Sequence, residues 1–243
     1  MKTLTTLLVA MLVSVLALAQ QEKEINLDEI KVTPPQFIGN YLATDLFSAP
    51  NNVLFNEYLR NYLLDPAKSF KGAVQGTEVV RFEVSPDGKL ADFKVINSIS
   101  SQVDHAMYEI LKTTCGMWRP GYNNGTPTAM EKEISVVFKM LNTADFDALA
   151  IKYLEKGSEE LFVNNNPKKA LKYLDRGMKY RPYEDCLLVS RGICKYELGD
   201  EKGAMADWNR MAQAGISEDA KELATQFNHL KGYTALISFL EIE

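Results

Sequence analysis

The chain of 243 residues has few of the side chains that bind transition metals, with two histidines and three cysteines. It also lacks a surplus of positive charge, since 27 Lys and Arg stand against 32 Asp and Glu. A surface that binds nucleic acid needs such a surplus to neutralise phosphates. The content of 46% apolar residues, 14 Gly and 9 Pro excludes collagen-like, wholly disordered and multi-span membrane chains. We therefore expect a globular protein with no metal, no cofactor and no nucleic-acid partner.

The one long apolar run lies at the N-terminus, where Lys2 precedes an apolar segment at 4–19. This segment ends in the small-x-small pattern Ala17-Leu18-Ala19, and charged residues follow from Glu22. A basic start, an apolar middle and such an exit are typical of a secretory signal peptide. Sixteen helical residues rise only about 24 Å, which is less than the roughly 30 Å of a hydrocarbon layer. We predict that residues 1–19 are cleaved on export, and the alternative is a retained membrane anchor.

The three cysteines are an odd number for a protein that is exported to an oxidising compartment. Cys186 and Cys194 lie eight residues apart on one predicted helix, about 12 Å along its axis, which is too far for a disulfide. Neither these residues nor Cys115 has a neighbouring histidine or basic cluster that would favour a reactive thiolate. We expect all three to be small buried apolar side chains.

The first part of the mature chain is predicted to be a linker at 20–52, followed by a helix at 54–64. The linker shows little periodicity, is broken by prolines, and contains two short extended pieces at 25–27 and 30–33. The helix has apolar residues at helical spacing and is stopped by Pro66. The linker therefore leads into a folded domain, of which this helix is the first element.

Alternation of apolar and polar residues predicts a β-hairpin at 77–96, with a turn at Ser85-Pro86-Asp87-Gly88. A helix is expected to follow, with Ser101 as its N-cap and an apolar stripe facing a core. Alternation returns in a last strand at 133–140. The order helix, strand, strand, helix, strand indicates an α+β domain.

From residue 145 on, helical patterns replace the strand patterns, and an internal repeat becomes visible. Residues 167–174 align with 201–208 at an offset of 34, which is the period of tetratricopeptide repeats. We predict two such units within an all-α domain at 146–243, and a capping helix at 217–230. From their places on apolar faces, we also predict that Phe82 and Trp118 are core anchors of the first domain and that Trp208 fills the crossing between the helices of the second repeat. We expect the two domains to fold separately, with their junction at 141–145.

Several short segments in the first domain carry a family resemblance: Asn61 to Ala67, Gly76 to Val84, Asp87-Gly88, Asp92 to Ser98, Asp104, Gly116 to Gly125 and Met130 to Phe138. Together they resemble the C-terminal domain of TonB, the periplasmic energy transducer for outer-membrane transport, in its Bacteroidetes-type form. The resemblance covers 53–140, so the domain boundaries are taken as 53–142. It implies a small antiparallel sheet with two helices, no catalytic residues, and a periplasmic protein that binds protein partners.

The same resemblance implies where partners bind. In that family a receptor's short N-terminal box adds as a strand beside the last strand of the sheet. Carried over, the receiving strand comprises Glu133, Ile134, Ser135, Val136, Val137 and Phe138, with Tyr62 close by. If the repeat register is right, a groove in the helical domain faces a second partner with two sets of residues: Lys152, Glu155, Lys156, Glu159 and Phe162, and then Val189, Ser190, Ile193, Tyr196 and Glu197. The alternative is that the C-terminal helix fills this groove.

Other functions stay open at this point. A transducer needs a membrane anchor and a long spacer, whereas this chain has a cleavable signal and a linker of about 33 residues, so energy transduction is in doubt. The runner-up is a cell-envelope scaffold unrelated to transport, which binds another extended peptide or dimerises through its open edge. An enzyme is disfavoured, because Ser101, Asp104 and His105 on one helix do not form a nucleophile–base pair. Finally, the linker segment 27–33 is similar to a receptor box, and we hypothesise that it pairs with the edge at 133–138.

Overall fold

A computed structural model describes residues 31–39, 51–63, 74–139 and 145–241. Strands and short helices make up its first part and helices its second, and the predicted signal peptide and the junction at 141–144 lie outside the described residues. The elements are β1 (Val32–Thr33), β2 (Gln36–Phe37), α1 (Asn51–Leu63), β3 (Gly76–Val84), β4 (Leu90–Asn97), α2 (Ser101–Thr113), β5 (Trp118–Arg119), β6 (Gly121–Asn123), β7 (Thr126–Thr128), β8 (Met130–Phe138), α3 (Phe146–Phe162), α4 (Pro167–Met178), α5 (Asp185–Glu197), α6 (Glu201–Ala214), α7 (Glu218–Thr225) and α8 (Lys231–Leu240).

A three-stranded antiparallel sheet in the order β4-β3-β8 forms the centre of the first part. The predicted hairpin is confirmed as β3 and β4, and the last strand is confirmed as β8, although it begins at Met130 and ends at Phe138. Phe82 on β3 packs against Trp118, with ring centroids 5.1 Å apart, and both side chains are buried. The buried face of α2 covers the same side of the sheet. The α+β order of elements is therefore as the sequence pattern predicted.

The N-terminal segment pairs with a different part of the sheet region from the one hypothesised. Antiparallel pairing joins β1 to β6 and β2 to β5, so that Phe37 lies opposite Trp118. The Phe37 side chain is buried, and its ring contacts Phe55 and Trp118 at centroid distances of 5.4 and 5.2 Å. The hypothesis that 27–33 pairs with the edge at 133–138 is thus wrong for residues 31–33, and residues 27–30 lie outside the described residues. Burial of an aromatic side chain decided the pairing, because it stabilises far more than the few ladder bonds of so short a strand.

The start of α2 lies one residue from its predicted position. Ser100, in extended backbone, is the N-cap, and its hydroxyl accepts a hydrogen bond from the Val103 N–H. Ser101 is instead the first residue of the helix. Asp104 accepts a hydrogen bond from the Ser98 hydroxyl at 2.8 Å. Two adjacent serines satisfy the same capping pattern, and only the backbone conformation distinguishes them.

The second part is helical and contains six helices within residues 145–241. α4 begins at Pro167 and α6 at Glu201, 34 residues apart, and Ala170 and Ala204 in equivalent positions are both fully buried. Trp208 is fully buried against Gly192 of α5, where a Cβ atom would overlap the indole ring. This confirms the prediction that Trp208 fills the crossing between α5 and α6. Among the described residues, none of the helices has both the length and the apolar character needed to cross a membrane.

The end of the chain differs from the predicted single helix at 217–230. α7 ends at Thr225, and a second helix, α8, follows from Lys231. Gly232 of α8 lies so close to α5 that a Cβ there would come within 2.8 Å of the Ile193 carbonyl oxygen. Phe239 of α8 packs on Trp208, with ring centroids 6.1 Å apart. α8 therefore completes the helical core, which its short amphipathic sequence did not reveal.

The two parts of the chain are in direct contact. The backbone N–H of Thr77 donates to the Lys179 carbonyl oxygen at 2.8 Å, and the Thr77 hydroxyl donates to that of Tyr180 at 2.9 Å. The buried side-chain amide of Asn97 donates to the Met178 carbonyl at 3.1 Å. At Gly76, which has a φ of 139°, a Cβ would lie 2.7 Å from the Lys179 carbonyl oxygen. The C-terminal end of α4 is thus seated against β3 with no space for a larger residue.

All three cysteines are free, but they do not share one environment. Cys194 is buried and Cys186 is partly buried, and burial raises the pKa of each thiol to about 12. Cys115 is exposed, so the expectation of three buried side chains is wrong for it. Cys115 lies in the turn after α2, where the chain leaves the core towards Trp118.

Candidate peptide-binding edge

The outer side of β8 is an unpaired strand edge in the described sheets. β8 pairs with β3 over nine residue pairs and ends the strand order on that side. The N–H of Thr77 donates to Lys179, and its carbonyl accepts from Asn97, so both backbone groups point away from β8. Directly opposed residues of an antiparallel pair point either both inward or both outward, and this alternates along the strand. Because Thr77 pairs with Val137, the backbone N–H and C=O of Val137, Ser135 and Glu133 face the open side, which we call the β8 edge.

A groove runs along the β8 edge on the side of α1. One cavity of about 490 Å³ lies between Asn56, Leu59 and Arg60 of α1 and the end of β8 at 135–138. A smaller cavity of about 150 Å³ continues it beside 132–135, with Phe37, Phe55 and Trp118 among its lining residues, and Tyr183 of the helical part reaches its edge. We call these two cavities the α1 groove. The pairing of β2 with β5 builds its end, because it brings Phe37 to Trp118.

Positive charge marks the α1 groove. Arg60 is exposed, and Lys132 is half-buried, where burial lowers the pKa of its ammonium group. Neither forms an ion pair with a carboxylate of the described residues. Glu133 is the one carboxylate among the lining residues of the two cavities, and its charge is compensated by arginines. The groove therefore offers cations to whatever lies beside β8.

The Glu133 side chain joins the sheet to the helical part. Its Oε2 accepts from the Arg81 guanidinium at 2.9 Å. Its Oε1 accepts from the Tyr183 hydroxyl at 2.8 Å and from Arg210 at 2.6 Å. The Arg210 guanidinium also lies over the Tyr183 ring, 4.8 Å from its centroid. Glu133 thus offers a partner only its backbone, while its carboxylate anchors the loop between α4 and α5.

Part of the chain is similar to a known protein family. Residues 66–140 match the family model of the Gram-negative bacterial TonB protein C-terminal. The match takes in β3, β4, α2 and the whole of β8, and it leaves out α1 and the six helices of the second part. No curated protein and no solved structure matches the chain significantly. The β8 edge is therefore the outer edge of the last strand in the region that matches this family model.

The remaining predicted residues of this region divide between the two faces of the sheet. Ile134 and Phe138 are partly buried and Val136 is buried, and all three pack in the core of the first part of the chain. Ser135 and Val137 are exposed on the opposite face. Tyr62 is partly buried on α1 and packs against the same core. The edge is therefore accessible through its backbone and through the face that carries Val137.

The predicted groove of the helical part is only partly present. Lys152, Glu155 and Glu159 are exposed on α3, and Phe162 is half-exposed beside His229, with ring centroids 6.0 Å apart. Tyr196 is partly buried against Trp208, with ring centroids 6.1 Å apart. On α5 the expectation is wrong, since Val189, Ser190 and Ile193 are fully buried. α7 and α8 lie against α5, so they occupy the place of the groove there.

Among the described residues, the side chains considered for chemistry do not form a reactive centre. Ser101 and His105 are exposed on α2, and Asp104 is bound to Ser98. Glu184, Asp185 and Cys186 bring one ligand atom each within 4.8 Å of one another. However, both oxygens of Asp185 already accept hydrogen bonds from backbone N–H groups, of Cys186 and of Ser217. The cluster is therefore the start of α5, where Asp185 binds the backbone N–H of Cys186 and that of Ser217, which precedes α7.

One buried acidic side chain was not predicted from the sequence. Glu78 on β3 is fully buried, and one of its oxygens accepts a hydrogen bond from the Ile99 N–H at 2.9 Å. Burial raises the pKa of the Glu78 carboxyl to about 8, the Ile99 N–H opposes this shift, and nearby Asp104 adds to it. The sequence does contain a signal for this burial. Glu78 lies on the same face of β3 as Val80 and Phe82, and that face points into the core.

Proposed function

We propose that this protein is a periplasmic interaction module that binds an extended segment of an outer-membrane transport receptor by β-strand addition. The observation that carries the proposal is the outward direction of the Glu133, Ser135 and Val137 backbones at the β8 edge. The family match at 66–140 supports the choice of partner. No catalytic role is proposed for any residue.

The β8 edge can supply two hydrogen bonds at each of the residues Glu133, Ser135 and Val137. A net gain of about 0.5–1.5 kcal/mol for each bond must also offset the ordering of a flexible peptide. Main-chain pairing alone therefore gives weak binding, and side chains must contribute to affinity and selectivity. The α1 groove and the exposed face beside Val137 are available for such contacts.

The remaining parts of the chain complete the proposal. Residues 1–19 act as the export signal, and as an inner-membrane anchor if they are retained. The helical part, read as two tetratricopeptide units, binds a second protein through the exposed face of α3 with Lys152, Glu155 and Glu159. Energy transduction belongs to the anchored form alone, since force from the inner membrane requires a permanent attachment there.

The proposal is tested with a receptor-box peptide that is N-methylated at one residue at a time. N-methylation removes a donor and adds bulk, so it blocks an added strand only where that amide faces β8. We expect affinity, measured by fluorescence anisotropy, to be lost at every second residue and kept at the intervening ones. The intervening peptides are the matched controls. Equal loss at all positions, or no binding of the unmodified peptide, contradicts the proposal.

A second candidate is a cell-envelope scaffold that uses the same edge for another partner. Backbone groups carry no sequence information, and Val137 is 60% exposed, so a second copy of β8 would also satisfy the edge. This candidate predicts concentration-dependent dimers in analytical ultracentrifugation that a receptor-box peptide does not dissociate. Under the receptor proposal, the peptide competes with any such self-pairing.

A further inference from the structure

We propose that the helical part forms the second wall of the peptide site, so that it contacts every second side chain of a strand added at the β8 edge. This inference rests on the proposed β-strand addition and deepens it. It assigns to the helical part a role in selectivity, and it specifies the chemical character of the bound peptide.

A cavity of about 470 Å³ lies between β8 and the helical part, on the face opposite to α1. β8 contributes Ser135 and Val137 to its lining, and α3 contributes Phe146. The α4–α5 loop spans 179–184 and contributes residues 180–184. The lining is completed by Thr77, Lys139, Asp145 and Asp147. The 60% exposure of Val137 is thereby explained, because an apolar side chain on this face is left to be covered by a ligand.

The wall is held in place on the sheet by several contacts. The Tyr183 hydroxyl binds Glu133, whose neighbour along the β8 edge is Ser135. At the other end of the loop, the carbonyl oxygens of Lys179 and Tyr180 accept from Thr77. Such pre-organisation lowers the ordering cost of binding, since the wall need not be assembled around the peptide.

The two walls differ in chemistry. The helical wall presents Val137 with Tyr180 and Tyr183, next to the buried Phe146 and Pro182. Its lining also includes the Arg181–Asp147 ion pair and the charged residues Lys139, Asp145 and Glu184. The wall therefore favours aliphatic or aromatic side chains, including those with a polar end such as tyrosine. The α1 groove on the other side presents Arg60 and Lys132, which favour acidic side chains. Side chains of an added strand point alternately to the two faces of the sheet. The peptide that fits is thus an extended segment with apolar side chains towards the helical part and acidic ones towards α1.

The inference is tested first by photo-crosslinking, which needs no change in the protein. Benzoylphenylalanine is placed at successive positions of the receptor-box peptide, and the crosslinked residues are identified by mass spectrometry. We expect one set of alternate positions to crosslink to residues 180–184 and the other set to 56–60. Crosslinks to 56–60 and β8 alone overturn the second wall, while an alternating N-methylation pattern would still uphold strand addition.

Variants at Tyr183 provide the second measurement. Tyr183→Asp places a charge on the wall and is expected to weaken peptide binding about tenfold. Tyr183→Leu keeps an apolar surface and should bind within a factor of about two. Tyr108→Asp on α2 is the matched control, because Tyr108 is 42% exposed against 44% for Tyr183 and also lies beside a cation. If Tyr183→Asp and Tyr108→Asp bind the peptide alike, the helical wall does not contact it.

Discussion

Replacing the buried Glu78 by glutamine should stabilise the protein increasingly as the pH rises. The Glu78 carboxyl has a pKa of about 8 in the folded state because burial disfavours its charged form, and a pKa of 4.5 otherwise. Between these values the folded state holds one proton more than the unfolded state. The free energy of unfolding of the wild type therefore falls as the pH rises through this window. Glutamine has the same shape, can accept the Ile99 N–H bond, and does not ionise.

The magnitude follows from the difference between the two pKa values. Each pKa unit corresponds to about 1.4 kcal/mol, so the change from 4.5 to about 8 has a limit of roughly 5 kcal/mol. Relaxation of the chain and entry of water around the ionised carboxylate reduce this limit. We expect the stability difference between Glu78→Gln and wild type to grow by at least about 2 kcal/mol between pH 5 and pH 9.

The assay is urea unfolding at several pH values, followed by tryptophan fluorescence, since Trp118 lies in the same half of the chain as Glu78. Subtracting the two proteins removes the contribution of every other titrating group. Glu83→Gln on the same strand, where the side chain is partly exposed, controls for the substitution itself. A stability difference that stays constant, or one that turns in favour of the wild type as the pH rises, refutes the reasoning.

Three further substitutions test the packing. Gly76→Ala should loosen the contact between β3 and α4 and lower the unfolding free energy by about 2–4 kcal/mol, because its Cβ has no space. Hydrogen exchange at Thr77 measures this loosening, and Gly125→Ala, also at positive φ but in open space, should leave that amide protected. Asp207→Ala removes the carboxylate that pairs with two partly buried cations, Arg191 and Lys195. It should lower the free energy of unfolding, measured by urea unfolding, by about 3–5 kcal/mol. Trp118→Ala should cost about 3–5 kcal/mol by calorimetry, and an unchanged melting temperature would contradict its place in the core.

Sequence patterns predicted a structural feature correctly where all the residues that define it lie within one short segment. The β3–β4 hairpin has its alternation and its turn within about twenty residues, so the prediction needed no distant partner. The helix pairs of the second part were predicted for the same reason, because the offset of 34 repeats both spacing and small residues. Phe82, Trp118 and Trp208 followed from their apolar faces and their size. Each of these features depends on neighbours close in the sequence.

Other features depended on contacts between distant segments. The alternating piece before Pro34 fits any open edge, and the burial of Phe37 beside Trp118 selected β6 and β5 instead of β8. α8 was missed, since its role is to cover α5 and not to extend a repeat. The contact of Tyr183 and Arg210 with Glu133 joins positions 50 and 77 residues apart, and no sequence pattern indicates such pairs.

The sequence by itself therefore determined the β3–β4 hairpin, the order of the longer elements as far as α6, and the identity of β8 as the last strand of the first part. Only the tertiary structure decided that the outward backbone groups of β8 belong to Glu133, Ser135 and Val137, and that the α4–α5 loop stands beside them. Periodicity reports which face of an element is buried, because burial repeats with the turn of the backbone. It does not report which element covers that face, because any apolar surface of suitable shape satisfies the same pattern. The β8 edge can thus be predicted from the sequence, whereas the α1 groove and the helical wall on its two sides result from tertiary packing.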